Sequence, residues 1–150
     1  MLKITIIGHG FVGKAVDYAF QDDVEKQIID PKYDVHLHDV GIESDITFVC
    51  VPTPMHEHGQ CDVRILSGVI RNIKEKLAGL IVIKSTVPPD QIENIFKGCA
   101  KHRMIYNPEF LTEKNANEDI INPFVHIFGG YPDATEKLEA FYKEYSICKP

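Results

Sequence analysis

Basic residues are in the minority in this chain, where 16 Lys and Arg stand against 22 Asp and Glu and give a formal net charge of -6. A protein that holds nucleic acid through its phosphates needs clustered lysine and arginine to displace counterions. We therefore expect no sequence-independent binding to nucleic acid, and the ligand of this chain need not be a polyanion.

Long hydrophobic runs and paired cysteines are also lacking. No stretch reaches the roughly 20 apolar residues that span a bilayer, and no basic N-terminal segment leads into an apolar run as a signal peptide would. Cys50, Cys61, Cys99 and Cys148 show no CxxC spacing, which argues against a disulfide framework or a zinc ribbon. We expect a soluble, cytoplasmic protein, without membrane contact, whose reduced thiols are mostly buried.

Short apolar runs alternate with segments of helical period over the whole chain, which has 44% hydrophobic residues and can bury the core of one domain. This alternation is typical of a parallel sheet covered by helices on both faces. Strands are predicted at 3–7, 25–29, 46–51, 80–84, 104–106 and 124–128. Helices are predicted at 11–20, 66–77, 88–97 and around 138–145. We predict an α/β fold with a doubly wound parallel sheet in a three-layer αβα arrangement.

Single residues predict some of the helix boundaries. Asp62 is placed to cap the helix that follows it, and Pro88 and Pro89 suit the start of the next one, which Gly98 can end. The segment 31–44 stays open, because VHLHD alternates like a strand while its surroundings look like loop.

The string GHGFVG fits the pattern GxGxxG and lies directly after the first predicted strand, at the start of the first predicted helix. Gly8 permits the tight turn, Gly10 leaves room for a pyrophosphate, and Gly13 lets the helix pack closely on the strand. The N–H groups near Phe11 and Val12 then face the phosphates at the positive end of the helix dipole. We predict a dinucleotide site, in preference to a glycine-rich turn without a ligand.

Asp30 ends the second predicted strand, where an acidic side chain can accept hydrogen bonds from the adenosine ribose and repel a 2′-phosphate. This favours NAD over NADP. Lys32 belongs to the same group of candidates, because its cation could partly offset that repulsion. A surface turn of the Asp-Pro type is the alternative explanation for Asp30.

Four further strings occur in order along the chain: VPTP (51–54), GxxD (59–62), KSTVPP (84–89) and NPEFLTE (107–113). They belong to the carboxyl edge of the predicted sheet, where open α/β sheets bind ligands. Together with GHGFVG they resemble the N-terminal NAD-binding domain of the UDP-glucose/GDP-mannose dehydrogenase family, the nucleotide-sugar dehydrogenases. The similarity covers essentially the whole chain.

The resemblance implies a Rossmann-type domain of an oxidoreductase. In that family a sugar-nucleotide primary alcohol is oxidised to the acid by two NAD, through a thiohemiacetal on a cysteine. Residues 1–150 would form the single NAD-binding domain, while the family's central helix, its substrate domain and the segment with the catalytic cysteine are absent. Whether the chain is an enzyme by itself is left open.

The resemblance also implies roles for individual residues. The threonine matching Thr86 and the glutamate matching Glu113 are associated with a water beside the nicotinamide, and Glu109 with the substrate. Near a helical turn, one of these two carboxylates could act as base while the other positions substrate. The cofactor-binding candidates are Gly8, Gly10, Phe11, Val12, Gly13, Asp30, Lys32, Val51, Pro52, Thr53 and Thr86. The catalytic candidates are Thr86, Glu113 and Glu109, and the substrate-binding candidates are Glu109, Phe110 and Leu111.

The chain also departs from the family pattern. Thr112 stands where the family usually carries arginine, and Lys114 and Asp90 stand where it carries glycine, which puts substrate handling in doubt. The segment between the second and third predicted strands is shorter than in the family. Cys148 lacks the surroundings of the catalytic cysteine and is interpreted as an ordinary thiol.

A metal site is not expected, although His56, His58 and Cys61 are residue types that bind zinc, because an HxH pair on a loop is more often solvated. No serine–histidine–aspartate arrangement is legible either. Three hypotheses remain: the cofactor half of a nucleotide-sugar dehydrogenase completed by a partner polypeptide, a stand-alone NAD-binding module without catalysis, and a compact dehydrogenase for a small alcohol.

Overall fold

The structure is a computed structural model that describes residues 1–21, 23–39, 41–97, 99 and 103–148. Within these residues one sheet has the strand order β2-β1-β3-β4-β5-β6. The strands are β1 (Leu2–Ile7), β2 (Val24–Ile29), β3 (Ile46–Val49), β4 (Leu80–Ile83), β5 (Met104–Tyr106) and β6 (Gly129–Gly130). The helices are α1 (Phe11–Ala19), α2 (Arg64–Ile73), α3 (Pro89–Phe96), α4 (Ala116–Ile121) and α5 (Pro132–Tyr145). In the part of the chain that is described, no helix is both long enough and apolar enough to cross a membrane.

Two hydrophobic cores lie on opposite faces of this sheet. One face packs against α1, α4 and α5, where Phe20 and Leu138 are completely buried. The other face packs against α2 and α3, where Leu66 and Ile73 are almost completely buried. Because β3 and β4 carry core on both faces, all their residues are buried, as continuous apolar runs predict. The three-layer αβα arrangement is therefore confirmed, and all neighbouring strands are parallel except the pair β5 and β6.

The predicted face of α2 is confirmed for Leu66, Ile70 and Ile73, but the helix ends at Ile73, and Leu77 is buried beyond its end. The predicted position of the cap is also wrong. The N-cap is Val63, one residue later than predicted, and Val63 has no side-chain cap hydrogen bond. Asp62 lies one residue before the N-cap. Its carboxylate accepts hydrogen bonds from the Arg64 backbone N–H at 3.0 Å and from the Arg64 guanidinium at 2.7 Å. Helix α3 begins at Pro89 as predicted, while Gly98 lies outside the described residues.

The predicted strand at 124–128 is wrong. In the described part of this region the strand is Gly129–Gly130, antiparallel to β5, and Phe124 is fully exposed to solvent. The Asn107 side-chain amide donates to the Ile127 carbonyl at 2.8 Å, so this backbone acceptor is bonded to a side chain and not to a neighbouring strand. A short apolar run by itself does not reveal whether a partner strand exists for it.

The open segment after β2 forms a 3₁₀ turn at Pro31–Tyr33 and then continues without a strand in the described part of 31–45. Asp30 is the N-cap of this turn and accepts the Lys32 backbone N–H at 2.9 Å. Helix α4, which the sequence did not predict, follows a second 3₁₀ turn at Glu113–Asn115. It is only six residues long and packs Ala116 and Ile120 into the core.

Candidate functional site

The parallel strands end at one level, because the last residues of β2, β1, β3, β4 and β5 are register partners across the sheet. The residues that directly follow these strands are Asp30, Gly8, Cys50, Lys84 and Asn107. Backbone hydrogen bonds of 2.8 to 2.9 Å continue the ladder to the residues after β1, β3, β4 and β5. The motif-bearing loops therefore leave the sheet side by side at its carboxyl edge, as the sequence predicted.

The glycine turn between β1 and α1 has the shape that a pyrophosphate needs. Gly8 has φ +88°, and a Cβ there would lie 2.7 Å from the Cys50 carbonyl oxygen. A Cβ on Gly13 would overlap the Gly8 carbonyl oxygen, whereas a Cβ on Gly10 would meet no atom within 4 Å. The space at Gly10 lies at the start of α1, where the first N–H groups have no acceptor within the helix. This cradle fits a dinucleotide phosphate.

Asp30 lies beside this turn and is bonded to it. One carboxylate oxygen accepts the His9 backbone N–H at 2.6 Å, and the other accepts that of Lys32. Burial alone would raise the pKa of Asp30, but these backbone hydrogen bonds and the Lys32 charge outweigh it and lower the pKa. Asp30 is thus an ionised, oriented carboxylate with lone pairs left for ribose hydroxyls, and it also caps the Asp-Pro turn that was the alternative explanation for it.

His9, an unspecified position of the glycine pattern, is a residue that sequence reasoning missed. It is 8% exposed, with Nδ1 2.8 Å from the Tyr33 hydroxyl and Nε2 3.2 Å from Asp17 Oδ2. Asp17 in turn accepts the Lys26 ammonium at 2.7 Å. The Lys32 ammonium donates to the His9 carbonyl and lies 4.9 Å from the Tyr33 ring centroid. No local sequence signal would have found this network, because it joins three separate elements.

The VPTP and KSTVPP loops are joined by hydrogen bonds. The Thr53 hydroxyl donates to the Thr86 carbonyl at 2.8 Å, and the Ser85 hydroxyl donates to the Val51 carbonyl at 2.7 Å. Thr86 itself is exposed, as is Pro52. The structure therefore brings Val51, Thr53 and Thr86 together at the edge of β3 and β4.

Glu109 and Glu113 are not placed as one helical pair. Glu109 lies in an irregular loop, is half-buried, and accepts the Leu111 backbone N–H at 2.6 Å. Glu113 is exposed at the start of its 3₁₀ turn. Glu109 lines a hollow of about 200 Å³, here called the Glu109 hollow. Glu113 lines a different, shallow depression together with Phe11.

Lys84 and His126 line the Glu109 hollow, and a buried polar network starts from Lys84. The Lys84 ammonium donates to the Asn107 side-chain oxygen at 3.1 Å, and the Tyr142 hydroxyl donates to the same oxygen at 3.3 Å. Burial lowers the pKa of Lys84. His126 lies 4.6 Å from the Tyr142 ring, and burial together with the Lys84 charge lowers its pKa to about 4. No role for Asn107 or His126 was predicted from the sequence. Asn107, like Lys84, is a polar residue directly after an apolar strand, and this position could have indicated it.

Thr112, which stands where the family usually carries arginine, forms its hydrogen bonds locally. Thr112 donates its backbone N–H and its hydroxyl to Asp119 at 2.8 and 2.7 Å, so it orders the loop locally.

All four cysteines are free; two are buried and two half-buried. Burial raises the pKa of Cys50 to about 12 and also raises that of Cys148. Among the described residues, no group of three or more histidine, cysteine or acidic side chains is arranged to hold a metal ion.

A parallel sheet with helices on both faces and a glycine turn at the start of α1 define a Rossmann-type dinucleotide-binding domain. The sequence pattern of the "UDP-glucose/GDP-mannose dehydrogenase family, NAD binding domain" matches residues 32–146. The chain belongs to this family. The expectation of NAD as the cofactor is confirmed by this membership.

Individual relatives agree with this assignment. The chain is 37% identical to a UDP-glucose 6-dehydrogenase of Rickettsia typhi, and the match covers 91% of this chain and 41% of that protein. The fold resembles a ternary complex of GDP-mannose dehydrogenase from Pseudomonas aeruginosa, with a TM-score of 0.75, 22% identity, and 94% of this chain and 44% of that one covered. It also resembles UDP-D-ManNAc dehydrogenase from Pyrococcus horikoshii, with a TM-score of 0.74, 19% identity, and coverages of 96% and 45%. The chain therefore spans less than half the length of each of these relatives.

Proposed function

We propose that residues 1–150 form the single cofactor-binding domain of an NAD-dependent dehydrogenase that oxidises the primary alcohol of a sugar nucleotide to the acid. The observation that carries this proposal is the glycine turn, open at Gly10 and bonded to the ionised Asp30. The names of the relatives, a UDP-glucose 6-dehydrogenase and a GDP-mannose dehydrogenase, support the substrate class.

The cofactor roles follow the edge of the sheet. The backbone N–H groups of Phe11 and Val12 would bind the pyrophosphate at the positive end of α1. Asp30 would accept the ribose hydroxyls, since its two oxygens are already oriented by backbone N–H groups. The loop Val51, Pro52, Thr53 would lie against the adenosine. NAD, when bound, supplies the hydride acceptor for the oxidation.

The proposed chemistry uses residues of the loops that follow β4 and β5. Thr86 and Glu113 would hold a water beside the nicotinamide, and Glu109 with the backbone of Phe110 and Leu111 would bind the sugar nucleotide. Glu109 suits a positioning role, because its carboxylate already accepts the Leu111 N–H and lies in a hollow with the Lys84 cation. Glu113 is exposed in this chain, so in this role it would be covered by a further segment of protein.

We propose that the catalytic thiol comes from a further segment or a second polypeptide. A nucleophilic cysteine needs access and a nearby positive charge that lowers its pKa. Burial raises the pKa of Cys50, Cys99 and Cys148. The thiol of the half-buried Cys61 donates to the Thr53 and Thr86 carbonyl oxygens at 3.9 and 3.7 Å, which are acceptors and not the cationic neighbours that activate a thiol. Phe110 and Phe124 at the Glu109 hollow are 60% and 100% exposed, which supports an apolar covering partner there. The same raised pKa values favour the second candidate function, an NAD-binding module without catalysis. The four free cysteines support a cytoplasmic location.

The test is a calorimetric titration of NAD and NADP into the purified chain and two variants. Asp30→Ala should weaken NAD binding about 10- to 100-fold, since it removes hydrogen bonds to a charged group. Asp39→Ala, an exposed aspartate in the same β2–β3 connection, is the matched control and should bind like wild type. If the wild-type chain does not bind NAD, the proposal is wrong. NADH formation from UDP-glucose or GDP-mannose by the chain alone would exclude the module without catalysis.

A further inference from the structure

We infer that His9, Lys32 and Tyr33 form a specificity element that favours NAD over NADP by holding the Lys32 ammonium on the protein's own groups. This inference rests on the proposed NAD binding. In dinucleotide sites a cation close to the ribose-binding position accommodates a 2′-phosphate. Lys32 is such a cation by sequence position, two residues after Asp30.

The Lys32 ammonium already has two partners. It donates a hydrogen bond to the His9 carbonyl and lies over the face of the Tyr33 ring, 4.9 Å from the centroid. The ammonium must give up both its hydrogen bond to the His9 carbonyl and its cation–π contact with Tyr33 before it can bind an anion. Lys32 is therefore less available to a 2′-phosphate than its position in the sequence suggests.

The Tyr33 ring is held in place from below by the buried His9 side chain. The Tyr33 hydroxyl lies 2.8 Å from His9 Nδ1, and the two ring centroids are 5.6 Å apart. On its other side His9 contacts Asp17 of α1, which is bonded to Lys26 of β2. Tyr33 is thus anchored to two regular elements although 49% of it is exposed.

The consequence for selectivity is electrostatic. Asp30 is fixed by two backbone N–H groups, and these hydrogen bonds keep its negative charge beside the turn. The Lys32 charge still lowers the pKa of Asp30, but an ammonium held on the His9 carbonyl and the Tyr33 ring is not placed to donate a hydrogen bond to a 2′-phosphate, so it offsets the repulsion from Asp30 only in part. Releasing Lys32 should therefore improve NADP binding while leaving the ribose contacts of NAD in place.

The experiment compares Kd for NAD and for NADP in wild type, Tyr33→Ala, Lys32→Met and the double variant. Tyr33→Ala should shift the ratio of the two Kd values toward NADP by about two- to fivefold, since it removes the cation–π contact of Lys32 and leaves the hydrogen bond to the His9 carbonyl. The double variant should return to the wild-type ratio, because the gain depends on the freed lysine. Tyr18→Ala, an exposed tyrosine on α1, is the matched control and should change nothing.

Tyr33→Phe provides a milder change, since it keeps the ring under Lys32 and removes only the hydroxyl bonded to His9; we expect a smaller shift in the same direction. Thermal unfolding of every variant verifies that it is folded. An unchanged ratio in Tyr33→Ala, or a gain that survives in the double variant, would overturn the specificity element while NAD binding stands. A wild-type chain that binds no NAD would overturn the proposed function and the specificity element together.

Discussion

Two glycines of the same turn, Gly10 and Gly13, should respond in opposite ways to alanine. A Cβ on Gly10 meets no protein atom within 4 Å, and its φ of -77° is open to any residue. A Cβ on Gly13 overlaps the Gly8 carbonyl oxygen, which belongs to backbone and cannot turn away as a side chain would. Gly13→Ala should therefore damage the fold, and Gly10→Ala should damage only the binding of the dinucleotide.

The expected magnitudes follow from these contacts. Overpacking against a fixed neighbour costs about 1 to 3 kcal/mol, and the clash of Gly13→Ala with backbone suggests the upper end, about 3 kcal/mol. Gly10 is the N-cap of α1, and alanine is a poorer N-cap than glycine, which destabilises the fold. Alanine also lowers the entropy of the unfolded chain, which stabilises the fold. Because the two effects oppose each other, the free energy of unfolding should change by less than about 0.5 kcal/mol. NAD binding by Gly10→Ala should nevertheless fall at least about tenfold, because the Cβ fills the space proposed for the pyrophosphate.

Urea unfolding gives the stability of each variant, and calorimetric titration gives its Kd for NAD. Gly68→Ala is a control for glycine replacement, since a Cβ there also meets no atom within 4 Å and the residue lies in α2, on the other face of the sheet. Wild-type NAD affinity in Gly10→Ala would refute the placement of the pyrophosphate. Unchanged stability of Gly13→Ala would refute the close approach of α1 to β1.

Three further predictions concern the core, the thiols and the Glu109 hollow. Phe20→Ala should cost about 4 kcal/mol in urea unfolding, because Phe20 is completely buried, whereas Phe124→Ala, fully exposed, should cost less than about 0.5 kcal/mol. Alkylation followed by mass spectrometry should modify the half-buried Cys61 in the native chain and Cys50 only after unfolding, because burial raises the pKa of Cys50 to about 12; early labelling of Cys50 would contradict its burial. Burial lowers the pKa of His126 to about 4, so the unfolded chain binds its proton first and stability falls as the pH drops from about 6.5 toward 4. His126→Phe should lose less stability than wild type between pH 7 and 4.5, and an equal loss would show that His126 is not the group responsible.

The parts of the fold that the sequence predicted are those in which local pattern and burial agree. Strands β3 and β4 are buried on both faces and read as continuous apolar runs. The turn from Gly8 to Gly13 was predictable because Gly8 and Gly13 each meet a steric need of the backbone, which the structure shows. Asp30 was predictable because it follows β2 directly.

The parts that were wrong or missed depend on partners distant in sequence. The run 124–128 has strand composition, but on the side of β5 away from β4 the described residues that pair are Gly129–Gly130. The surroundings of His9 are set by Tyr33 and Asp17, which no local pattern joins to it. Side-chain networks of this kind are decided by tertiary packing, so sequence periodicity carries no signal for them.

The common level at which the parallel strands end has a consequence for how such a chain can change over time. Since every loop starts from the same row of the sheet, a loop can be lengthened, shortened or exchanged without moving the starting points of its neighbours. A one-residue deletion inside β4 would be different, because it would turn every following side chain of that strand to the opposite face and displace Lys84 from the row. Variation should therefore accumulate in the loops, while the strand lengths stay constant.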